Sequence, residues 1–225
     1  MKSKPEPITL FFDYDGTLHD CIRIYAPAFR RVYPELVTAG FAAPRTFSDA
    51  ELSQWLGLSV SDMWNRFMPE LPQERKDYYG SRIGDEMLRL INGGLAALYP
   101  GTEETLEFLR SRGCRMVFLS NCLHSYMEAH RRVFQLDRYF DAFLCAEDFP
   151  DNSKPEIYKA VRSQFPGRHV VIGDRRQDQE VALQFGLPFI GCSYGYSAPG
   201  ELAGASLLIP QVTCLKTAVE TVLHP

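Results

Sequence analysis

Apolar positions along the chain fall into two regimes. From residue 101 onward, short apolar runs alternate with segments whose apolar residues recur every three or four positions, the order expected of parallel strands joined by helices. The spacing predicts a helix over 102–112, capped by Thr102 and stopped at Gly113, followed by a buried strand over 114–119. Helices are expected over 124–135, 156–165, 177–185 and 212–223, and strands over 140–145, 169–172, 188–191 and 207–209. The apolar run Ile8–Phe12 adds a strand at the start. Between residues 20 and 94 the strand-like runs disappear, and 28–37, 49–56, 60–67 and 73–91 carry apolar residues at helical spacing only. Tyr99, Pro100 and Gly101 read as the turn that returns the chain. The expected fold is therefore α/β: a Rossmann-like, mostly parallel sheet core of residues 1–19 and 95–225, with a small α-helical cap domain inserted at 20–94.

Composition narrows the class without changing this picture. At 225 residues, with 45% hydrophobic and 23% charged positions, the chain matches ordinary globular proteins rather than disordered or fibrous ones. The net charge of −4 is spread without a basic stripe, which argues against a nucleic-acid partner. Met1, Lys2, Ser3 and Lys4 are followed by an apolar run that Asp13 interrupts too early for a signal peptide or membrane span, so a cytoplasmic protein without a membrane partner is expected. The six cysteines form no C-x-x-C pair and mostly lie in or beside apolar runs, as buried reduced thiols do.

The chemistry sits where the apolar runs end. Asp13-Tyr14-Asp15-Gly16-Thr17-Leu18 follows the first, Ser120-Asn121 the second, Lys154-Pro155 precedes a helix, and Gly173-Asp174, with Asp178 four residues later, follows another strand. In an open α/β sheet ligands bind beyond the carboxyl ends of the strands, so these scattered residues can converge. Gly16 permits an unusual backbone angle, letting Asp13 face a reacting phosphorus while Asp15 swings beside the leaving-group oxygen. One carboxylate can then attack to give an aspartyl phosphate while the other handles the proton. Asp174 and Asp178 would repel Asp13 unless a hard cation such as Mg²⁺ compensates. Lys154, Ser120 and Asn121 are candidates to hold the phosphoryl group.

This ordered set resembles the haloacid dehalogenase superfamily, whose phosphatases carry D-x-D-G-T-L, then Ser or Thr, then Lys, then G-D-x-x-x-D. Tyr194-Gly195-Tyr196 is similar to the phosphoglycolate phosphatase-like branch, and the helical insert looks like that family's cap. The resemblance implies Asp13 as nucleophile and magnesium ligand, Asp15 as general acid/base and ligand through its carbonyl, Asp174 as a further ligand, and Asp178 as support for the metal shell or for Lys154. The activity implied is Mg²⁺-dependent hydrolysis of a small phosphorylated metabolite. The residues name neither that metabolite nor an oligomeric state.

Departures from the pattern are Cys21, where Ser is frequent, and Arg175, where a small hydroxyl residue is common. His19 reads as an exposed hinge histidine, and Arg175 and Arg176 as surface or helix-start residues. Trp55-Leu56-Gly57-Leu58-Ser59 is similar to the cap segment that faces the active site in this branch, and reads equally as a helix end. Arg23, Arg66 and Arg82 in the insert read as solvated. Two alternatives stay open at this point: a phosphomutase or phosphotransferase of the β-phosphoglucomutase type, whose cap histidine would fall near Tyr25, and a phosphate-binding module without catalysis.

Overall fold

The computed structural model describes residues 6–149 and 153–223. The basic start at Met1 to Lys4 lies outside the described residues. Six strands form one sheet: β1 (Ile8–Phe12), β2 (Arg115–Ser120), β3 (Ala142–Cys145), β4 (Arg168–Gly173), β5 (Phe189–Cys192) and β6 (Leu207–Ile209), in the order β3-β2-β1-β4-β5-β6. Every neighbouring pair is parallel. A parallel sheet needs a covered crossover for each step, and here nearly every crossover carries a helix.

The period of two along the strands decides which helix covers which face. Leu10, Phe12, Met116, Phe118 and Ile172 point to one face, packing with Leu106 and Leu109 of α5 (Thr102–Ser111), Met127 of α6 (His124–Val133) and Val219 of α9 (Leu215–Leu223). Phe11, Val117, Leu119 and Val171 point to the other, against Ile157 and Val161 of α7 (Lys154–Val161) and Val181 of α8 (Arg176–Phe185).

Between β1 and α5 the chain forms α1 (Ile22–Thr38), α2 (Asp49–Ser53), α3 (Val60–Phe67) and α4 (Gln73–Asn92). These four gather around an apolar cluster of their own, including Phe29, Leu36, Leu52, Trp64 and Ile83. Its centre is aromatic, with the Phe47 ring 5.2 Å from Phe29 and 4.8 Å from Tyr33. No helix among the described residues is long and apolar enough to cross a membrane. The six cysteines are free, four of them buried.

Several boundaries differ from the sequence expectation. Helix α1 begins at Ile22 and runs through Pro27, because burial of Ile24 and Tyr25 holds a turn that the missing Pro N–H would otherwise weaken. Gly101, rather than Thr102, is the cap of α5, and the Thr102 hydroxyl instead donates back to the Tyr99 carbonyl. Strand β3 starts at residue 142 and not 140, since the Phe140 ring turns under Phe12 at 5.9 Å. Lys154 and Pro155 lie inside the first turn of α7, with Ser153 as its cap.

Candidate active site

The ends of β1 and β4 and the first turns of α7 and α8 bring Asp13, Asp174, Lys154 and Asp178 together. Ser153 and Pro155 fix the start of α7, which aims Lys154 at the end of β1. Its ammonium donates to Asp13 Oδ1 at 2.5 Å and to Asp178 Oδ1 at 2.6 Å. The second oxygen of Asp178 accepts the Arg175 N–H at 3.0 Å, so both of its oxygens have protein partners. Thr17 Oγ1 donates to Asp13 Oδ2 at 3.5 Å. Ser120 closes β2 and is buried, and beside it Asn121 Oδ1 is buried without a partner among the described residues.

Asp174 is fully buried at the end of β4. The Tyr196 N–H donates to its Oδ2 at 2.6 Å, but Oδ1 has no partner among the described residues. Two glycines make room for it: a Cβ on Gly16 would lie 2.2 Å, and one on Gly195 2.4 Å, from Asp174 Oδ2. Gly16 also has φ +83°, a conformation that other residues rarely adopt. Oxygens of Asp13, Asp174 and Asp178 lie within 4.8 Å of one another.

Burial first, and then the Asp178 carboxylate, push the Asp13 carboxyl up to about 7 against the pull of Lys154. Burial, then Asp13 and Asp178, push Asp174 well above the ordinary range. Burial opposes the Lys154 ammonium, yet Asp13 and Asp178 outweigh it and hold its pKa above the usual value. The donor set is three buried carboxylates with one orphaned oxygen, which suits a hard divalent cation and no soft metal.

Asp15 stands apart from this cluster. The Tyr126 hydroxyl donates to Asp15 Oδ1 at 2.7 Å, and His19 Nδ1 lies 2.8 Å from the same oxygen. Burial would raise this carboxyl, but His19 and Tyr126 outweigh it and hold it below its usual value. His19 is thus fully buried, not an exposed hinge. The turn after Asp15 carries it inward: the His19 N–H donates to the Tyr14 carbonyl, and the Gly16 N–H to the His19 carbonyl. Tyr126 carried no signal in the sequence, because the direction an α6 side chain faces is set by packing.

Arg175 also differs from a surface residue. It is buried; its guanidinium donates to the Leu56 carbonyl in the insert, and its Nε to Glu201 at 3.0 Å. Leu56 and Gly57 therefore lie against the Arg175 side chain, just past the end of β4. Arg176 is exposed at the start of α8. Arg66 is exposed, Arg23 sits 3.7 Å from Asp20, and Arg82 pairs with Glu35 at 3.0 Å. At the start of α1, Cys21 makes no capping bond. The Tyr196 hydroxyl replaces one, accepting the Ile22 N–H at 3.1 Å while donating to Asp20 Oδ1 at 2.9 Å.

A family model for haloacid dehalogenase-like hydrolases matches residues 9–186. The chain belongs to this family. Curated relatives include a phosphoglycolate phosphatase of Caulobacter vibrioides, 27% identical over 96% of this chain and 92% of its own. Among solved structures, a predicted phosphatase from Clostridium acetobutylicum superposes with a TM-score of 0.78 at 22% identity, covering 97% of this chain and 100% of that one. A predicted phosphoglycolate phosphatase from Haemophilus somnus gives 0.79 at 19% identity, with 94% and 97% covered. At those identities the structural likeness establishes the fold.

Behind Asp15 the hydrolase buries a second histidine. His130 is fully buried, its Nδ1 2.8 Å from the Tyr14 hydroxyl and its Nε2 without a partner among the described residues. Burial, followed by the neighbouring His19, lowers its pKa from 6.5 to about 3. A histidine depressed on folding binds fewer protons folded than unfolded, so its contribution is complete above about pH 6.5 and is lost as pH falls toward 3. We expect the unfolding free energy of wild type relative to His130→Leu to drop by about 2 kcal/mol between pH 7 and pH 5. Urea titrations at the two pH values measure it, and a pH-independent difference would contradict a neutral buried imidazole.

Proposed function

We propose that the protein is a Mg²⁺-dependent phosphatase that hydrolyses a small phosphorylated metabolite through an aspartyl phosphate on Asp13. The observation that carries this reading is the Asp13 carboxylate held on Lys154 beside the partnerless oxygen of Asp174. Asp13 and Asp174, with the Asp15 carbonyl by the family pattern, would hold the cation. Asp178, with both oxygens engaged, is assigned to fixing Lys154.

In the reaction, an Asp13 oxygen attacks phosphorus and the ester P–O bond breaks. Asp15, ionised at rest, takes up a proton as the anionic ester binds beside it and transfers that proton to the departing alkoxide. The resulting Asp15 carboxylate then takes a proton from water as the water oxygen attacks the same phosphorus. The P–O bond to Asp13 breaks, inorganic phosphate leaves, and both carboxyl groups return to their starting state. Lys154, Ser120 and the side chain of Asn121 bind the phosphoryl oxygens. When bound, Mg²⁺ supplies charge neutralisation for those oxygens and for the clustered carboxylates.

Residues 20–94 act as the lid in this reading, with the Trp55 to Ser59 segment contacting the leaving group and Arg175 tying it to the core. Position 25, where a mutase histidine would fall, is a buried tyrosine, which favours hydrolysis. Phosphoglycolate, for which the Caulobacter relative is named, is the first ester to try. The test is phosphate release from p-nitrophenyl phosphate and a panel of phosphorylated metabolites, with and without Mg²⁺. An inactive protein across the panel sinks the proposal.

Metal binding has its own readout. At about 100 times its dissociation constant, Mg²⁺ should stabilise wild type by roughly 2.7 kcal/mol. Asp174→Asn should lose that gain, yet without metal it should melt no lower than wild type, because it removes a buried carboxylate whose Oδ1 is orphaned. Thermal melts of both proteins with and without Mg²⁺ decide the matter.

A further inference from the structure

One oxygen of Asp15 is bound twice. Tyr126, reaching across from α6, donates its hydroxyl to Oδ1, and His19 approaches the same oxygen through Nδ1. A carboxylate only accepts, so the imidazole proton sits on Nδ1. Both donors are themselves immobilised. The His19 ring stacks on Tyr14 with centroids 5.3 Å apart and planes 10° from parallel, and packs edge-on against His130 at 4.4 Å. The Tyr126 ring lies 4.4 Å from His130, whose Nδ1 is held by the Tyr14 hydroxyl. The His19 backbone is anchored in the turn and bridges to Leu98 on the returning chain. Among the described residues, Asp15 Oδ2 takes no hydrogen bond, and the side chain retains 22% exposure.

We propose that His19 and Tyr126 are positioning residues for the general acid: they lock the Asp15 carboxyl with Oδ1 turned into the protein, so that Oδ2 alone carries the proton to and from the leaving-group oxygen. The proposal rests on the acid/base reading of Asp15 above. Its physical content is orientational. A free aspartate presents either oxygen in several rotamers, whereas this one is delivered in a single orientation before substrate arrives. Tyr14 and His130 contribute one step further back, by fixing the His19 and Tyr126 rings.

A positioning role predicts an effect that depends on how much the leaving group needs a proton. Four variants, His19→Leu, His19→Asn, Tyr126→Phe and Asp15→Asn, are compared with wild type on p-nitrophenyl phosphate, a good leaving group, and on the best alkyl phosphate of the panel, a poor one. His19→Leu and Tyr126→Phe should lower kcat/KM for the alkyl ester by about tenfold or more, a part of the roughly 10²–10⁴-fold that general acid catalysis supplies. For the aryl ester the loss of kcat/KM should stay below about threefold, since its leaving group departs without a proton. His19→Asn should recover most of the alkyl activity, because its amide nitrogen can stand in the place of Nδ1. Tyr126→Phe deletes a single oxygen and carries the same comparison if His19→Leu does not fold.

Equal losses on the two esters, or an Asn variant no better than Leu, would overturn the positioning role. Asp15→Asn separates this from failure of the underlying reading. If it loses kcat/KM for both esters alike, the acid assignment itself falls and the positioning falls with it, because kcat/KM ends at departure of the alcohol and excludes the later water attack that Asp15 also assists. If it loses only the alkyl ester while His19→Leu and Tyr126→Phe are unselective, the positioning role alone is wrong.

Discussion

Asp13→Asn should leave the fold intact and lower turnover of every phosphate ester by at least about a thousandfold, the scale on which loss of a nucleophile acts in covalent catalysis. An amide neither attacks phosphorus nor binds a hard cation well. The variant also removes a buried carboxyl whose pKa burial raises to about 7. A carboxyl raised on folding binds more protons folded than unfolded, so its burden on stability is greatest above pH 7 and eases as pH falls toward 3.8. Metal-free Asp13→Asn should therefore compare best with wild type near pH 8 and lose that advantage toward pH 5. Circular dichroism and urea unfolding report the fold, and phosphate release reports the chemistry. Substantial turnover in a folded Asp13→Asn protein would exclude the aspartyl phosphate.

The second large effect is expected at Lys154, which is 5% exposed between two carboxylates. Lys154→Met keeps most of the side-chain volume and deletes the charge. Removing one partner of a buried ion pair typically costs about 3–5 kcal/mol, because the remaining charge is left unpaired in a poorly solvating interior. Here two carboxylates lose their partner at once, and the phosphoryl group loses a donor worth roughly 10²–10³-fold in kcat. Mg²⁺ should return part of the stability by supplying positive charge at the same cluster. Unfolding in urea with and without Mg²⁺ measures this, and a variant as stable as wild type without metal would show that Lys154 does not hold the carboxylates together.

Much of this architecture is legible in the sequence. The alternation of apolar runs and helical periods beyond residue 101 predicts the parallel sheet, since strands buried on both faces must be apolar throughout. The insert announces itself by the loss of strand-like runs, and its four helices fall close to the expected positions. Element ends are less legible. Helix α6 stops at Val133 because Gln135 takes φ +50°, a choice made by the chain's path and not by a glycine or proline at that point.

The site divides along the same line. The meeting of Asp13, Lys154, Asp174 and Asp178 was legible because elements ending at one edge of an open sheet converge and because carboxylates and a lysine in that order form a chemical set. Their division of labour was not. Whether Asp178 faces a metal or Lys154 depends on a hydrogen bond to the Arg175 N–H across one helical turn, and Arg175 faces inward because the Leu56 carbonyl and Glu201 are there to receive it.

The sequence by itself determined the fold class, the order of the elements and the residue types at the ends of the strands, because local periodicity and short motifs encode these within a few residues of chain. Only the tertiary structure decided what stands behind Asp15. Tyr126 lies more than a hundred residues from Asp15 and reaches it, as His130 reaches His19, only because α6 packs against the turn after β1. No local pattern distinguishes a histidine that will be buried against a carboxylate from one that will face water. That outcome is fixed when distant elements close over it and remove the solvent that would otherwise have satisfied it.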